Sequence, residues 1–197
     1  MYKYINQLDP QNEKIWGHLS KFGMDFDLSI SKHGCGLCSL SMVIENLTGK
    51  NFPLDKVIEL AQEWNYGGSG KTLCEMKVLG PVAAELFNLR FATTSIGEEL
   101  LEWLEKGGMA IAHSNGDREN HVGIFTSGKH YVAVVGSKGR QVIVLDPSQT
   151  PDKFEKAGRK EYVTVNGHEI YVDYDVLAED CEGKIPRFYL FANRNKV

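Results

Sequence analysis

Apolar residues in the first half of the chain recur every three or four positions, which is the spacing of an amphipathic helix. The clearest stretch begins at Leu37 and continues through Leu40, Ile44 and Leu47 until Gly49 ends it. Similar signals predict further helices around residues 51–65, 72–88 and 95–104, with Gly80-Pro81 breaking or kinking the second of these. Residues 1–31 have no strong periodicity and are interpreted as an extended arm with one short helix around residues 12–21. The N-terminal half is therefore predicted to be mostly helical.

The pattern changes after residue 108 to short runs rich in Val, Ile, Tyr and Phe, which are typical of β-strands. The predicted strands cover residues 109–113, 121–125, 130–135, 141–145, 161–165, 169–174 and 187–192. Asn166-Gly167 is a common tight hairpin turn. Helices followed by antiparallel strands indicate an α+β fold, with residues 1–197 as one domain.

The composition is that of an ordinary globular protein, with 197 residues, 42% hydrophobic and 24% charged. A net charge of −4 gives no reason to expect nucleic acid as a partner, and no apolar run is long enough to span a membrane. The first twenty residues lack the apolar core of a signal peptide. We therefore expect the cytoplasm as the default location, or a mature chain whose export signal is missing. The oligomeric state is left open.

Cys35 lies between two glycines where the helix beginning near Leu37 starts. The free backbone N–H groups and the dipole at a helix start stabilise an anion, so this position favours a reactive thiolate. Gly34 and Gly36 are expected to leave room for the backbone of a substrate. Cys35 is therefore predicted to be a nucleophile.

The other cysteines suggest alternatives that the sequence supports less well. Cys35 and Cys38 form a Cys-x-x-Cys pair, as in thiol–disulfide oxidoreductases, but residues 27–34 lack the hydrophobic strand that precedes such motifs. A zinc site with His33 would need a fourth ligand that the spacing does not provide. Cys38, Cys74 and Cys181 are expected to pack as small hydrophobic residues.

A cysteine nucleophile needs a base, and His130 at the start of a predicted strand is the best candidate. If the turn to the next strand is Ser137-Lys138-Gly139, the pairing places His130 opposite Asp146. A two-residue turn would shift the register by one and separate them. His113 and His121 are weaker candidates for the base. The dense group of lysines between residues 153 and 160 alternates with acids and is interpreted as a solvated face.

Three segments together resemble the motifs of C39-like cysteine peptidases, which belong to the papain-like superfamily. Gly34-Cys35-Gly36, with Ser39, Leu40 and Met42, resembles the nucleophile motif. Residues 125–131 resemble the histidine motif, and residues 142–147 resemble the strand that ends in Asp-Pro. The resemblance implies a papain-like fold with Cys35 as nucleophile, His130 as general base and then acid, and Asp146 orienting the imidazole. It also implies a peptide or protein substrate and neither a metal nor an organic cofactor.

The sequence departs from the family pattern in two places. Lys129 separates His130 from the preceding glycine, and Ser29 stands where the glutamine of the oxyanion hole often lies. Gln7-Leu8-Asp9 resembles the Gln-x-Asp of relatives with a longer N-terminal arm, which implies that Gln7 stabilises the oxyanion. Residues after 147 resemble no known motif. An acyltransferase, a Cys35/Cys38 oxidoreductase and a non-catalytic peptide-binding module remain alternatives, and substrate specificity is open.

Overall fold

A computed structural model of the chain describes residues 1–21, 24–65 and 75–194. The helices are α1 (Ile30–His33), α2 (Cys35–Thr48), α3 (Leu54–Asn65), α4 (Met76–Leu86), α5 (Gly97–Glu105) and α6 (Tyr174–Asp180). The strands are β1 (Ile15–Lys21), β2 (Met24–Ser29), β3 (Leu89–Thr94), β4 (Met109–Ser114), β5 (His130–Lys138), β6 (Gln141–Leu145), β7 (Val163–Asn166), β8 (Glu169–Asp173) and β9 (Phe188–Asn193). Cys74 and most of residues 72–75, predicted to open a helix, lie outside the described residues.

Seven strands form one antiparallel sheet in the order β3-β9-β4-β5-β6-β8-β7, and β1 and β2 form a separate hairpin. Alternate residues of β4 point to opposite faces of the sheet. Met109 and Ile111 join a core with α2, α3 and α4, whereas Ala110 and Ala112 join a second core with α5 and α6. This arrangement confirms the α+β class, with the N-terminal helices packed on a C-terminal antiparallel sheet.

Helix α2 is the central element of the first core, as its apolar pattern predicts. Ten consecutive residues of α2, from Gly36 to Glu45, are buried against β5, β4 and the neighbouring helices. Gly49 ends the helix with a left-handed backbone (φ +70°), and its N–H donates to the carbonyl of Glu45. Because α2 is buried on almost every side, its apolar residues recur at short intervals and are not confined to one face. Cys35 is the first residue of this helix, so the buried core fixes the position of its backbone.

The predicted helix at residues 12–21 is wrong. Residues Ile15–Lys21 form β1, which pairs antiparallel with β2. Trp16 is 2% exposed while its neighbour Ile15 is 50% exposed, and the pairing with β2 is irregular between Ile15 and Gly17. Pairing with β2, which the local pattern does not reveal, therefore decides the structure of this segment.

Four other elements of the fold also differ from the predictions. The predicted strand at residues 121–125 is an irregular loop, because Ile124 N–H donates to the carboxylate of Asp180 (2.7 Å) instead of to a strand. Helix α4 runs unbroken through Pro81. β3 and α6 were not predicted, since Leu89–Thr94 lacks a regular alternation and α6 is only seven residues long. Among the described residues, no helix is both long enough and apolar enough to cross a bilayer.

Candidate active site

The junction between α1 and α2 places Cys35 at the start of a buried helix. Gly34 ends α1 through a hydrogen bond from its N–H to the carbonyl of Ile30 (2.8 Å) and is also the residue that precedes α2. A Cβ atom at Gly34 would lie 2.5 Å from that carbonyl oxygen. Gly34 is therefore required by the close approach of its own chain, which is a different reason from the room for substrate that the sequence suggested. Cys35 itself is partly exposed.

The strands that carry His130 and Asp146 pair in a register different from the predicted one. The three-residue turn is wrong, because the turn consists of Gly139 and Arg140, although Gly139 has the predicted left-handed backbone (φ +61°). A two-residue turn alone would put the two side chains on opposite faces of the sheet. A β-bulge at Val135 adds one residue to β5 and returns them to the same face. They meet diagonally, since Asp146 lies two positions before the residue that would face His130.

Cys35, His130 and Asp146 lie next to one another. The charge and hydrogen bonding of His130 act on the thiol of Cys35 and lower its pKa, and Nε2 of His130 lies 2.8 Å from Oδ1 of Asp146. Nδ1 is thus the ring nitrogen left for the sulfur. The His130 and Asp146 side chains are buried, so bulk water competes little with this bond. The structure therefore brings together three of the four site residues that the sequence predicted.

The charges of these groups stabilise a thiolate next to an imidazolium. Burial raises the pKa of Cys35, but the hydrogen bond and charge of His130 and the N–H groups of Tyr131 and Gly36 outweigh it, so this pKa lies below its ordinary value. Burial lowers the pKa of His130, whereas the charge and hydrogen bond of Asp146, and then Cys35, raise it to about 9. Both shifts therefore favour a Cys35 thiolate beside a protonated His130.

Asp146 has a second cationic neighbour, Lys153, which the sequence did not single out. Nζ of Lys153 lies 2.5 Å from Oδ2 of Asp146, and the lysine is 9% exposed. Burial raises the pKa of Asp146, but His130 and Lys153 together hold it well below its usual range. The interpretation of residues 153–160 as a solvated face is therefore wrong for Lys153. Its neighbours Lys156 and Lys160 are exposed. The sequence feature that distinguishes Lys153 from them is its position seven residues after the aspartate of the Asp-Pro motif.

The N-terminal arm fastens the segment that follows β6. The hydroxyl of Tyr4 donates to the carbonyl of Asp146 (2.7 Å), and the N–H of Gln7 donates to the carbonyl of Pro147 (2.6 Å). The side chain of Asn6 donates to the carbonyl of Gln149 (3.0 Å). The first residues of the chain thus fix the backbone of Asp146 and of the residues that follow it.

Gln7 lies between this segment and the helix that precedes Cys35. It is 5% exposed, and its amide Nε2 donates to the carbonyl of Ser31 (2.7 Å). That bond uses one of its two N–H donors and fixes the orientation of the amide, while Oε1 is buried without a hydrogen-bond partner. Gln7 is therefore a buried residue at the border of the site, and an exposed position on a loose arm is excluded.

The alternative residues have different surroundings. His121 lies 3.1 Å from Asp180 and anchors the irregular loop to α6. The ring of His113 stacks on that of Tyr131 (4.3 Å between centroids), and burial together with nearby lysines lowers the pKa of His113 to about 4. Cys38 and Cys181 are fully buried, as predicted, and burial raises the pKa of both thiols. A buried, protonated Cys38 is a poor partner for a redox pair.

Comparisons with known proteins agree with the fold and the motifs. The sequence model of the Peptidase C39 family matches residues 24–162, which is more than half of the chain. A C39-like peptidase from Bacillus anthracis superposes with a TM-score of 0.55 at 14% identity, over 96% of this chain and 93% of that one. The peptidase domain of Streptococcus ComA, a bifunctional ABC transporter involved in quorum sensing, gives 0.48 at 15% identity, over 91% and 99%.

No curated protein sequence matches the chain. The structural neighbour from Bacillus anthracis shares the papain-like fold over nearly the whole chain, including the strands after residue 147 that the sequence motifs did not cover. The family match spans both the cysteine and the histidine segments. The chain therefore belongs to the Peptidase C39 family and is a cysteine peptidase.

Proposed function

We propose that this peptidase hydrolyses a peptide bond through a thioester formed on Cys35, with His130 as general acid and base and Asp146 orienting the imidazole. The observation that carries the proposal is that His130, whose Nε2 is hydrogen-bonded to the buried carboxylate of Asp146, lies beside Cys35 at the start of α2 and lowers the pKa of its thiol. A nucleophile, a base bonded to it and a third group bonded to the base are the arrangement that acyl transfer requires. The shared sheet between the two cores supports residues 1–197 acting as one domain.

The reaction begins with the thiolate of Cys35 attacking the carbonyl carbon of the scissile bond. Protonated His130 then donates its proton to the leaving amine, the C–N bond breaks, and a thioester remains on the sulfur. Neutral His130 next takes a proton from a water molecule, which attacks the thioester carbonyl. The C–S bond breaks, the carboxylic acid leaves, and the thiolate beside imidazolium is restored.

The oxyanion of each tetrahedral intermediate needs hydrogen-bond donors that are already in place. The backbone N–H of Cys35 is at the start of α2, where the first N–H groups of a helix have no partner within the helix. The second N–H of the Gln7 amide, whose orientation Ser31 fixes, is the side-chain donor that we propose. One such donor typically contributes about 3 kcal/mol to the stability of the transition state.

The test is the rate of iodoacetamide alkylation against pH, with the labelled site mapped by mass spectrometry. Fast labelling confined to Cys35 is expected, with a thiolate that forms well below the pKa of about 8.5 of a free cysteine. His130→Ala should slow it. Cys38→Ser should leave it unchanged, and His168→Ala, on an exposed histidine, is the matched control. Labelling of Cys35 no faster than a model thiol would contradict the proposal.

Peptide turnover distinguishes hydrolysis from acyl transfer to another acceptor. A fluorogenic peptide library is incubated with the enzyme in water, and in a parallel reaction in the presence of a nucleophilic amine such as hydroxylamine. Hydrolysis predicts that the free carboxylic acid is the main product without the amine. Release of product only when the amine is present would instead identify an acyltransferase on the same thioester chemistry.

A further inference from the structure

Lys153 lies in the irregular segment between β6 and β7 and points back at the site. Its Nζ donates to Oγ of Ser148 at 2.7 Å and to the carbonyl of Ser148 at 3.3 Å, and it forms an ion pair with Oδ2 of Asp146 at 2.5 Å. A lysine ammonium has three N–H donors and no acceptor, so Lys153 presents only donors to these oxygens. All three oxygens belong to the segment that begins with Asp146.

The two oxygens of Asp146 have separate partners. Oδ1 accepts from Nε2 of His130 (2.8 Å), from the N–H of Ser148 (2.8 Å) and from the hydroxyl of Ser148 (3.1 Å). Oδ2 faces Lys153. The hydroxyl of Ser148 also lies 3.1 Å from Nε2 of His130, so it bridges the lysine, the carboxylate and the imidazole. A movement of Lys153 would thus change the position of both groups.

The charges around Lys153 come from four elements. Asp146 follows β6, His130 begins β5, Cys35 begins α2, and Arg159 lies in the same segment as Lys153 and is itself buried. The ring of Phe154 also lies 5.8 Å from Nζ. Cys35 and Asp146 as anions thus face three buried cations, His130, Lys153 and Arg159. Lys153 is the cation in contact with Oδ2 of Asp146, so its removal would take the cationic neighbour away from a buried carboxylate oxygen, which is costly in a site shielded from water.

We propose that Lys153 is a positioning residue of this active site, which holds Asp146 and neutralises its charge so that Cys35 stays a thiolate across the working pH range. This role rests on the proposed function of Cys35 and His130. The positive charge of Lys153 favours the anionic forms of Asp146 and Cys35 over their protonated forms. Its removal exposes the thiolate to the uncompensated carboxylate and strengthens the hold of Asp146 on the His130 proton.

The experiment compares Lys153→Met, Lys153→Gln and Lys153→Arg with the matched control Lys156→Met, an exposed lysine of the same segment. The rate of Cys35 alkylation by iodoacetamide is measured from pH 4 to 10, together with the melting temperature. Loss of the charge should move the alkylation midpoint up by at least about half a pH unit. Lys153→Arg and Lys156→Met should keep the wild-type midpoint.

The outcomes separate Lys153 from the rest of the site. A folded Lys153→Met enzyme with a lower melting temperature and an unmoved midpoint would show a merely structural lysine and overturn the proposal. Wild-type Cys35 that reacts no faster than a model thiol would overturn the proposed function and the role of Lys153 with it. If the neutral variants do not fold, the proposal is tested by NMR titration of the lysine Nζ groups of the wild type. A Lys153 that loses its charge at a pH where Cys35 is still a thiolate would contradict the proposal.

Discussion

Replacing Asp146 by asparagine should release the proton of His130 at a lower pH. The pKa of His130 is raised from 6.5 to about 9, and 2.5 pH units correspond to roughly 3 kcal/mol. Burial acts in the opposite direction, so the carboxylate and the thiolate together supply more than this difference. Because Asp146 is the larger of the two, its neutral amide should lower the pKa of His130 by about 2 units, to about 7.

The assay is an NMR titration of the protein with ¹⁵N-labelled histidine, in which the ring nitrogen shifts report the charge of each imidazole. His130→Gln identifies the signal of His130. Asp152→Asn is the matched control, because Asp152 is an exposed aspartate six residues further along the same segment. If His130 still titrates near pH 9 in Asp146→Asn, the carboxylate is not the source of its high pKa, and the reasoning on the site charges is refuted.

The same variant should change the dependence of stability on pH. His130 binds its proton more tightly in the folded protein than in the unfolded chain, so its contribution is fully present below about pH 6.5 and is lost as the pH rises through 9. Asp146 has a lowered pKa, so its contribution is present above about pH 4 and is lost in acid. Cys35, whose pKa is lowered in the folded protein, acts in the opposite direction over this range, so stability in urea unfolding should be lower at pH 10 than at pH 6 by less than about 3 kcal/mol in the wild type. The difference should be much smaller in Asp146→Asn.

Two further changes test the frame around Cys35. Gly34→Ala should destabilise the protein by about 1–3 kcal/mol in urea unfolding, because the new Cβ would lie 2.5 Å from the Ile30 carbonyl, whereas Gly128→Ala meets open space and should be nearly neutral; equal effects of both would contradict the steric reason. Gln7→Ala should lower kcat about 100-fold with little change in Cys35 alkylation, as expected of an oxyanion donor. The exposed Gln11→Ala is its control, and a parallel loss of alkylation would instead indicate a disturbed Cys35.

The parts of the fold that the sequence predicts are those whose pattern is local. Helix α2 has its apolar repeat, its glycine end and its cysteine start within fifteen residues, and the structure agrees at both ends. The hairpin between β7 and β8 lies where the Asn166-Gly167 motif predicts one, but its two turn residues are Gly167 (φ +61°) and His168, because Asn166 pairs with Glu169. Such features depend on backbone geometry that a few side chains determine.

The parts that the sequence does not predict depend on contacts between distant segments. The side-by-side position of His130 and Asp146 was predicted, but for a register that is wrong. Gly136, an isolated glycine inside β5, is a local sign of the bulge at Val135, but it does not by itself show that the bulge places the two side chains on one face. The burial of Lys153 likewise depends on its contacts with Asp146 and Ser148 in the folded protein. From the sequence alone, a lysine between acidic and basic neighbours is expected to be solvated.

The place of β9 in the sheet has a consequence for biosynthesis. This strand comes last in the chain but lies between β3 and β4, and Tyr189 and Phe191 on it enter the same core as α2. As a chain emerges from the ribosome, β3 and β4 cannot be joined into one sheet until residues 188–193 are available, and closing such long loops is slow. We therefore expect that a growing chain which already contains Cys35, His130 and Asp146 is not yet an active peptidase. Strand order alone would then protect the nascent polypeptide, and its neighbours on the ribosome, from premature cleavage.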